Sequence, residues 1–448
     1  MNSVRRALQL AAGAPLLLSM ACSQAGLVQQ YYEMRPAMQR GDWNTAAAQL
    51  DKAKEDPYGE GDRVMYWLNM GTILHYAQKA DDSNANLIKA EAAMQELWTT
   101  SVSGQVGSML SNDTVVDYGG EDFEKVLVYV YTALNNLKLG KPADALVEAR
   151  RADEFLKKML VHYEKEGESG TVYKQDAFIL WLIGMLYEME GNNQDAYILY
   201  KAAYVAYQTD YAGNFGMPPP KFIGEDLVRT GEPLGFAEDV AKFKAETGAT
   251  GESLEKLKEN GEVIVIHGNG ESPSKRELIF DGQMPDGYVM AIAVPEFVAN
   301  VPKVAYATVS SDGVSANTEL AEPITSIVLK NFELRLPGIK TKAIARAVIK
   351  YVATKAAQAI AGGSDSALGS IVGLAGNIAA AATEAADLRS WTVLPAQFNV
   401  GRIFLPAGPH TVTVSYHDAG GAPVGPQETF QVDVVAGKRS VLSVRSMY

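Results

Sequence analysis

Between residues 27 and 210 the chain repeats one arrangement: a glycine that ends a helix, then small residues at fixed offsets in the helix that follows. Gly41 precedes Trp43, Ala46, Leu50 and Ala53. Trp67, Met70 and Gly71 precede Leu87 and Ala90, and Ala133 and Gly140 precede Ala145, Ala149 and Ala152. The clearest copy runs Ile183, Gly184, Tyr187, Gly191, Ala196, Tyr200 and Ala203. Small residues let the two helices of a pair approach closely, while large ones fill the gap to the next pair. A single pair leaves an apolar face uncovered, so this pattern constrains the chain to a stack of several pairs.

The offsets resemble those of the 34-residue tetratricopeptide repeat, with copies near 27–60, 64–97, 126–159 and 177–210. An insertion rich in Ser, Gly and Asp is expected between Thr99 and Gly120. From 211 to 260, Met217-Pro218-Pro219-Pro220 cannot continue a helix. This stretch reads as a partly packed linker with short helices near 236–246 and 252–260. The period then changes. Glu262-Val263-Ile264-Val265-Ile266 is a β-branched run ended by His267-Gly268-Asn269-Gly270, and further strands are expected at 288–294, 304–309, 398–404, 411–416, 428–435 and 440–444. Residues 320–360 and 367–388 read as helices broken at Gly362-Gly363. The second is Ala-rich rather than Leu-rich, and Glu384 would be costly in lipid, which favours a tightly packed antiparallel hairpin over a membrane-inserted helix. The predicted fold class is therefore α+β and multidomain. A signal segment spans 1–21, an all-α tetratricopeptide-like solenoid 22–210, the linker 211–260, and a C-terminal α+β domain 261–448 with a helical hairpin and a small antiparallel sheet.

The N-terminus bears on location. Arg5 and Arg6 precede an apolar run from Ala7 to Met20, shorter than the roughly 20 residues that span a bilayer, and it reads as a secretory signal. Cys22, the only cysteine, follows the small Ala21. That is the arrangement in which bacterial lipoproteins are cleaved and then acylated on the new N-terminal cysteine; the competing reading is ordinary secretion with an incidental cysteine. Ser23, where Asp would favour inner-membrane retention, points to the outer membrane, facing the periplasm. Acylation of Cys22 leaves no thiol for a disulfide, a thiolate metal site or a nucleophile. Hydrophobic content of 47% with 21% charged residues describes a globular chain rather than a disordered or multispanning one. The formal charge of −13 becomes more negative by two without Arg5 and Arg6. Such a chain gains nothing from counterion release, so no nucleic-acid partner is expected.

Several C-terminal motifs occur together: Asn269-Gly270 with Ser272-Pro273 and Lys275, Leu336-Pro337-Gly338-Ile339 with Ala343-Ile344-Ala345-Arg346-Ala347, and Ala386-Asp387-Leu388-Arg389-Ser390-Trp391 with Leu394-Pro395-Ala396. Leu405-Pro406-Ala407-Gly408-Pro409-His410 completes the set. In this combination the chain resembles a family of Gram-negative, tetratricopeptide-repeat-containing lipoproteins to which no chemistry is assigned. The resemblance covers nearly all of the mature chain and implies location and architecture, not an activity.

His267 to Ser272 is the most site-like segment, a base and a hydroxyl on a glycine-containing turn. It has neither Gly-x-Ser-x-Gly nor Gly-x-x-x-x-Gly-Lys spacing, so a plain turn is preferred. Lys275 and Arg276 behind it would receive an anionic partner or remain solvated. His75 and His162 lie on repeat helices without further ligands at metal spacing, and His410 and His417 flank a strand. Lys342, Arg346 and Lys350 fall at i, i+4 and i+8 on one helix face. This basic stripe would meet lipid head groups, glycan phosphates or an acidic partner; the simpler reading is a solvated face opposite Ile344, Val348 and Ile349. Asp387, Arg389 and Trp391 read as a turn closed by an ion pair and anchored by the indole. No nucleophile–base pair, metal set or cofactor motif emerges. The expected role is binding without a cofactor: a membrane-tethered periplasmic scaffold whose concave repeat face holds an envelope protein or peptide, with Tyr187, Tyr197, Tyr200, Tyr204 and Tyr207 as contact residues. The rivals are an envelope enzyme acting on cell-wall material through the 267–276 loop, and an oligomeric envelope component using the 338–386 hairpin.

Overall fold

Close helix packing needs small residues at the crossing points, and the chain supplies them. A computed structural model describes residues 14–103, 116–166, 175–382 and 384–448, with side chains from residue 25 onward in most of these segments. Helices α1 (Ala14–Gln39), α2 (Trp43–Lys52), α3 (Arg63–Tyr76), α4 (Ala80–Ser103), α5 (Asp122–Lys138), α6 (Pro142–Glu166), α7 (Ala177–Met189) and α8 (Asn193–Ala206) pack each against the next. A Cβ on Gly71 of α3 would lie 2.6 Å from Leu87 of α4, and one on Gly184 of α7 would lie 2.7 Å from the Tyr200 ring of α8. These two crossings admit no side chain. Most of the insertion expected at 99–120 lies outside the described residues, as do residues 1–13 of the expected signal segment. Cys22 falls within α1, in the part whose side chains are not described. Among the described residues no helix is long and apolar enough to cross a membrane.

The stretch read as a linker is more ordered than its composition implies. It forms α9 (Lys221–Gly231), α10 (Ala237–Thr247) and α11 (Ser253–Glu259), and α9 packs on both α8 and α10, extending the helical layer by another pair. Gly224, Gly231 and the proline run before Lys221 hide α9 from a propensity reading.

Among the described residues ten strands follow: β1 (Gly261–Asn269), β2 (Ser274–Gln283), β3 (Val289–Val298), β4 (Tyr306–Ser311), β5 (Val314–Asn317), β6 (Glu319–Glu322), β7 (Gln397–Leu405), β8 (Gly408–His417), β9 (Glu428–Val434) and β10 (Arg439–Ser446). They form three sheets where one small sheet was expected. Order β10-β1-β7-β6 makes a central sheet in which β1 and β10 run parallel; β5-β4-β8-β9 makes an outer sheet; β2-β3 is a separate ribbon. β1 is buried along its whole length because both of its faces are covered. Ile264 and Ile266 join the core of the helices, while the alternate Val263 and Val265 join the core between the two four-stranded sheets. The result is three layers, helices on sheet on sheet. The proposed boundary at 260/261 marks the change of period but crosses a continuous core.

Between β6 and β7 the chain leaves this body as α12 (Ile324–Ile360) and α13 (Ala367–Ala382), an antiparallel hairpin. α13 stops short of the expected residue 388. β3 packs on both helices, so the hairpin and the β2–β3 ribbon form one arm.

Candidate functional site

Where the arm meets the helical layer, a cavity of about 210 Å³ opens between the start of α5, one face of α12, strands β2 and β3, and the segment after α13. α12 contributes Val328, Phe332, Arg335, Ile339, Lys342 and Arg346 to it. Their spacing of three, four or seven keeps them on one helix face. β2 contributes Lys275, β3 contributes Phe297, and α5 contributes Glu121, Asp122 and Phe123.

Glu121 ties the two halves of the chain together here. Its Oε1 accepts from Lys275 Nζ at 2.6 Å and its Oε2 from Arg335 Nη1 at 2.7 Å. Burial works against the charge of Glu121, but Lys275 and Arg335 outweigh it and hold the carboxyl well below the usual carboxylate range. The Lys275 side chain is only 5% exposed, donates also to the Arg389 carbonyl at 2.9 Å, and lies 5.2 Å from the Phe297 ring centre. Beneath Glu121, Glu124 is enclosed and accepts from the backbone N–H of Trp391 at 2.6 Å. Burial, with Glu121 nearby, pushes the Glu124 carboxyl up to about 7. Arg389 holds Asp387 at 2.9 Å and Asp62 of the helical layer at 2.9 Å, closing the turn that leads to buried Trp391.

Lys275, Lys342 and Arg346, all expected from the sequence to meet an anionic partner, thus line one cavity. Their situations differ from the exposed stripe expected. Lys275 has its anion inside the chain, so it is corrected from a partner-binding residue to an internal ion pair. Arg346 is 6% exposed, because α12 turns it toward the arm's base. Lys350 points elsewhere, to Glu384 at 2.6 Å, and does not line the cavity. Lys342 is exposed on the rim, and the described residues place no carboxylate within ion-pair distance of it. Arg335 joins Lys342 and Arg346 from the turn before Pro337, through which α12 continues; the spacing of Arg335, Ile339, Lys342 and Arg346 carries one face across the proline.

The chemistry on offer is exposed Lys342 over apolar walls of Phe123, Phe297, Phe332 and Ile339, in a lining that also holds Glu121, Asp122 and Asp387. Such a cavity suits a carboxylate or phosphate attached to an apolar group. Other sequence candidates are structural in their geometry. His267 lies inside β1, fully buried, with Nε2 at 2.7 Å from Ser446 Oγ, and burial pushes it down to about 3. It is not on a presented loop. Ser272 is buried as well. His75 is a core residue rather than a helix-face one, its Nδ1 2.7 Å from Asn135 Oδ1. Among the described residues no cluster of three or more His, Cys, Asp or Glu could hold a metal.

The inner face of the helix pairs, expected to be open to a partner, is covered by the chain's own sheet. Tyr131 of α5 lies 5.6 Å from Trp391, Phe178 of α7 stacks on Phe398 of β7 at 5.4 Å, and Trp391 Nε1 donates to Thr72 of α3 at 2.9 Å. Tyr197, Tyr200, Tyr204 and Tyr207 are all buried, so of the five expected contact residues only Tyr187 keeps partial exposure. Tyr207 donates to the Ala321 carbonyl at 2.7 Å, which fills with the chain itself a position assigned to a partner. A comparison with protein-family models gives no match, and neither does a comparison with curated proteins.

Proposed function

We propose that the chain is a non-catalytic scaffold of the bacterial envelope, anchored by an acylated Cys22 in the outer membrane and facing the periplasm. It receives an anionic segment of an envelope protein or peptide in the cavity at the base of the arm. The observation that carries this reading is Lys342, exposed beside Arg346 above aromatic walls, in a chain that is otherwise acidic. The stacked helix pairs, read as tetratricopeptide-like, serve here as the wall that backs the central sheet, not as the binding groove. The lipid raises local concentration, so a modest intrinsic affinity suffices.

A photoreactive residue at Ile339, in intact cells, tests the proposal. The expected result is a discrete protein adduct that weakens with Lys342→Glu and with Cys22→Ala. A full-yield adduct in the Lys342→Glu strain would remove the cavity from the reading, and an adduct indifferent to Cys22→Ala would remove the tether.

A further inference from the structure

The arm carries an apolar surface that the rest of the described chain leaves uncovered. On α13, Leu368, Ile371, Leu374 and Ile378 are 61–65% exposed, and the helix Ala367–Ala382 holds no charged residue. On α12, Ile344, Val348, Ile349 and Val352 are 42–58% exposed. They divide between the two helices, roughly 500 Å² on α13 and roughly 350 Å² on α12, each within the ~300–600 Å² of the largest apolar patch on a typical monomer. Packed against each other, an α13 edge and an α12 edge bury roughly 850 Å² in all, the size of a weak contact rather than of a standard interface of ~1,200–2,000 Å².

The placement of these residues says what kind of contact they make. The helices meet where Gly373 and Gly376 of α13 face Gln358 and Thr354 of α12. At about 100° per residue, Ile371, Leu374 and Ile378 point away from that seam on one side of the hairpin. Ile349 and Val352 point away from it on the other. Lys350 and Lys355 are drawn into ion pairs with Glu384 at 2.6 Å and Asp286 at 2.8 Å, which leaves the outer edge of α12 apolar beyond exposed Lys342. The hairpin therefore has two apolar edges of different sequence. Below it, β2 has β3 on one side and, among the described residues, no strand on the other, with Ile279 and Phe280 60% and 54% exposed.

We propose that the arm joins copies of this chain side by side, the α13 edge of one copy packing against the α12 edge of the next. A contact between unlike edges is head-to-tail, so it propagates into a closed ring or a filament instead of stopping at a dimer. The ribbon supports a second copy over a lipid surface as the occupant. An open strand edge has no place in hydrocarbon, where its N–H and C=O groups find no partner, whereas a neighbouring ribbon supplies one. α13 also lacks the Lys, Arg and aromatic residues that hold an amphipathic helix at the head groups.

Disulfide trapping in the full chain, in a Cys22→Ser background, tests both the contact and its polarity. Val352→Cys with Leu374→Cys should give a ladder of crosslinked species running past the dimer, while either substitution alone stays monomeric on denaturing gels. Light scattering on the chain without these cysteines should show a mass of several copies, returned to one copy by Ile371→Asp with Leu374→Asp at unchanged helix content. Dimers from a single substitution would replace the head-to-tail contact by a two-fold one and overturn the proposal. A monomeric mass without any ladder would overturn it altogether, as would a monomer that floats with phosphatidylcholine vesicles.

Discussion

Asp176 and Glu322 show how far burial can move a single residue. Asp176 caps α7, accepting from the Ile179 N–H at 2.8 Å, and Glu322 ends β6, accepting from Tyr211 Oη at 2.8 Å. Burial pushes Asp176 up to about 7 and, with Asp176 as its neighbour, pushes Glu322 well above the carboxylate range. Both groups bind protons more tightly in the folded chain than in the unfolded one. Their contribution is therefore most favourable at low pH, and it is lost as pH rises from about 4 through about 7. Urea unfolding at pH 5 and pH 7.5 should show Asp176 alone costing about 2–3 kcal/mol over that interval, Glu322 adding in the same direction, and Glu322→Gln should shrink the difference. An equal difference in both proteins would place the titration elsewhere. At the cavity, Glu121→Gln leaves Lys275 buried without its anion, which should cost about 3 kcal/mol in the same assay. None of these environments can be seen in sequence. Glu121 and Lys275 are separated by 154 positions, and Lys275 stands out in sequence only as a turn cation, with nothing to name Glu121 as its anion.

Among elements, legibility followed period and length. β1 was visible because its centre, residues 263–266, is covered on both faces and is an unbroken β-branched run. β2 was not, since Ile279 and Phe280 are adjacent and the strand is largely solvent-facing. The helix pairs were visible through their small residues, which makes Gly184 a direct test. Tyr200 is fully buried and its Oη donates to Glu188 at 2.8 Å, so it cannot retreat from an added methyl. Gly184→Ala should destabilise the chain by about 1–3 kcal/mol. Gly213→Ala, whose Cβ meets nothing within 4 Å, should leave stability unchanged or slightly raised. Equal effects from the two substitutions, measured by thermal unfolding, would remove close packing as the reason for Gly184.

At the scale of the molecule, the helical layer and the central sheet are joined by a buried ionic cluster as well as by apolar contact. Arg229 of α9 donates to Glu188 of α7 at 2.8 Å and pairs with Asp226; Arg439 of β10 pairs with Glu262 of β1 at 2.8 Å and with Glu188 at 2.7 Å; Arg402 of β7 pairs with Asp226. Three arginines face three carboxylates, and breaking such a set strands a buried charge. Arg229→Met should cost about 3–5 kcal/mol by denaturant unfolding. A fragment ending at residue 260 should bind a hydrophobic dye and lack a cooperative transition, because Tyr131, Phe178 and Glu188 lose their cover; a cooperative, dye-free fragment would show that the helices form an independent domain. What the sequence determined alone was local: the order of helices and strands, the small-residue crossings and the hairpin, all governed by period, turn residues and side-chain size. The tertiary structure decided which surfaces remain available. It laid the sheet over the inner helix face, turned Lys275 and Lys350 inward, gathered Lys342 and Arg346 at a cavity, and left the arm's edges bare, because burial and ion pairing join residues far apart in the chain.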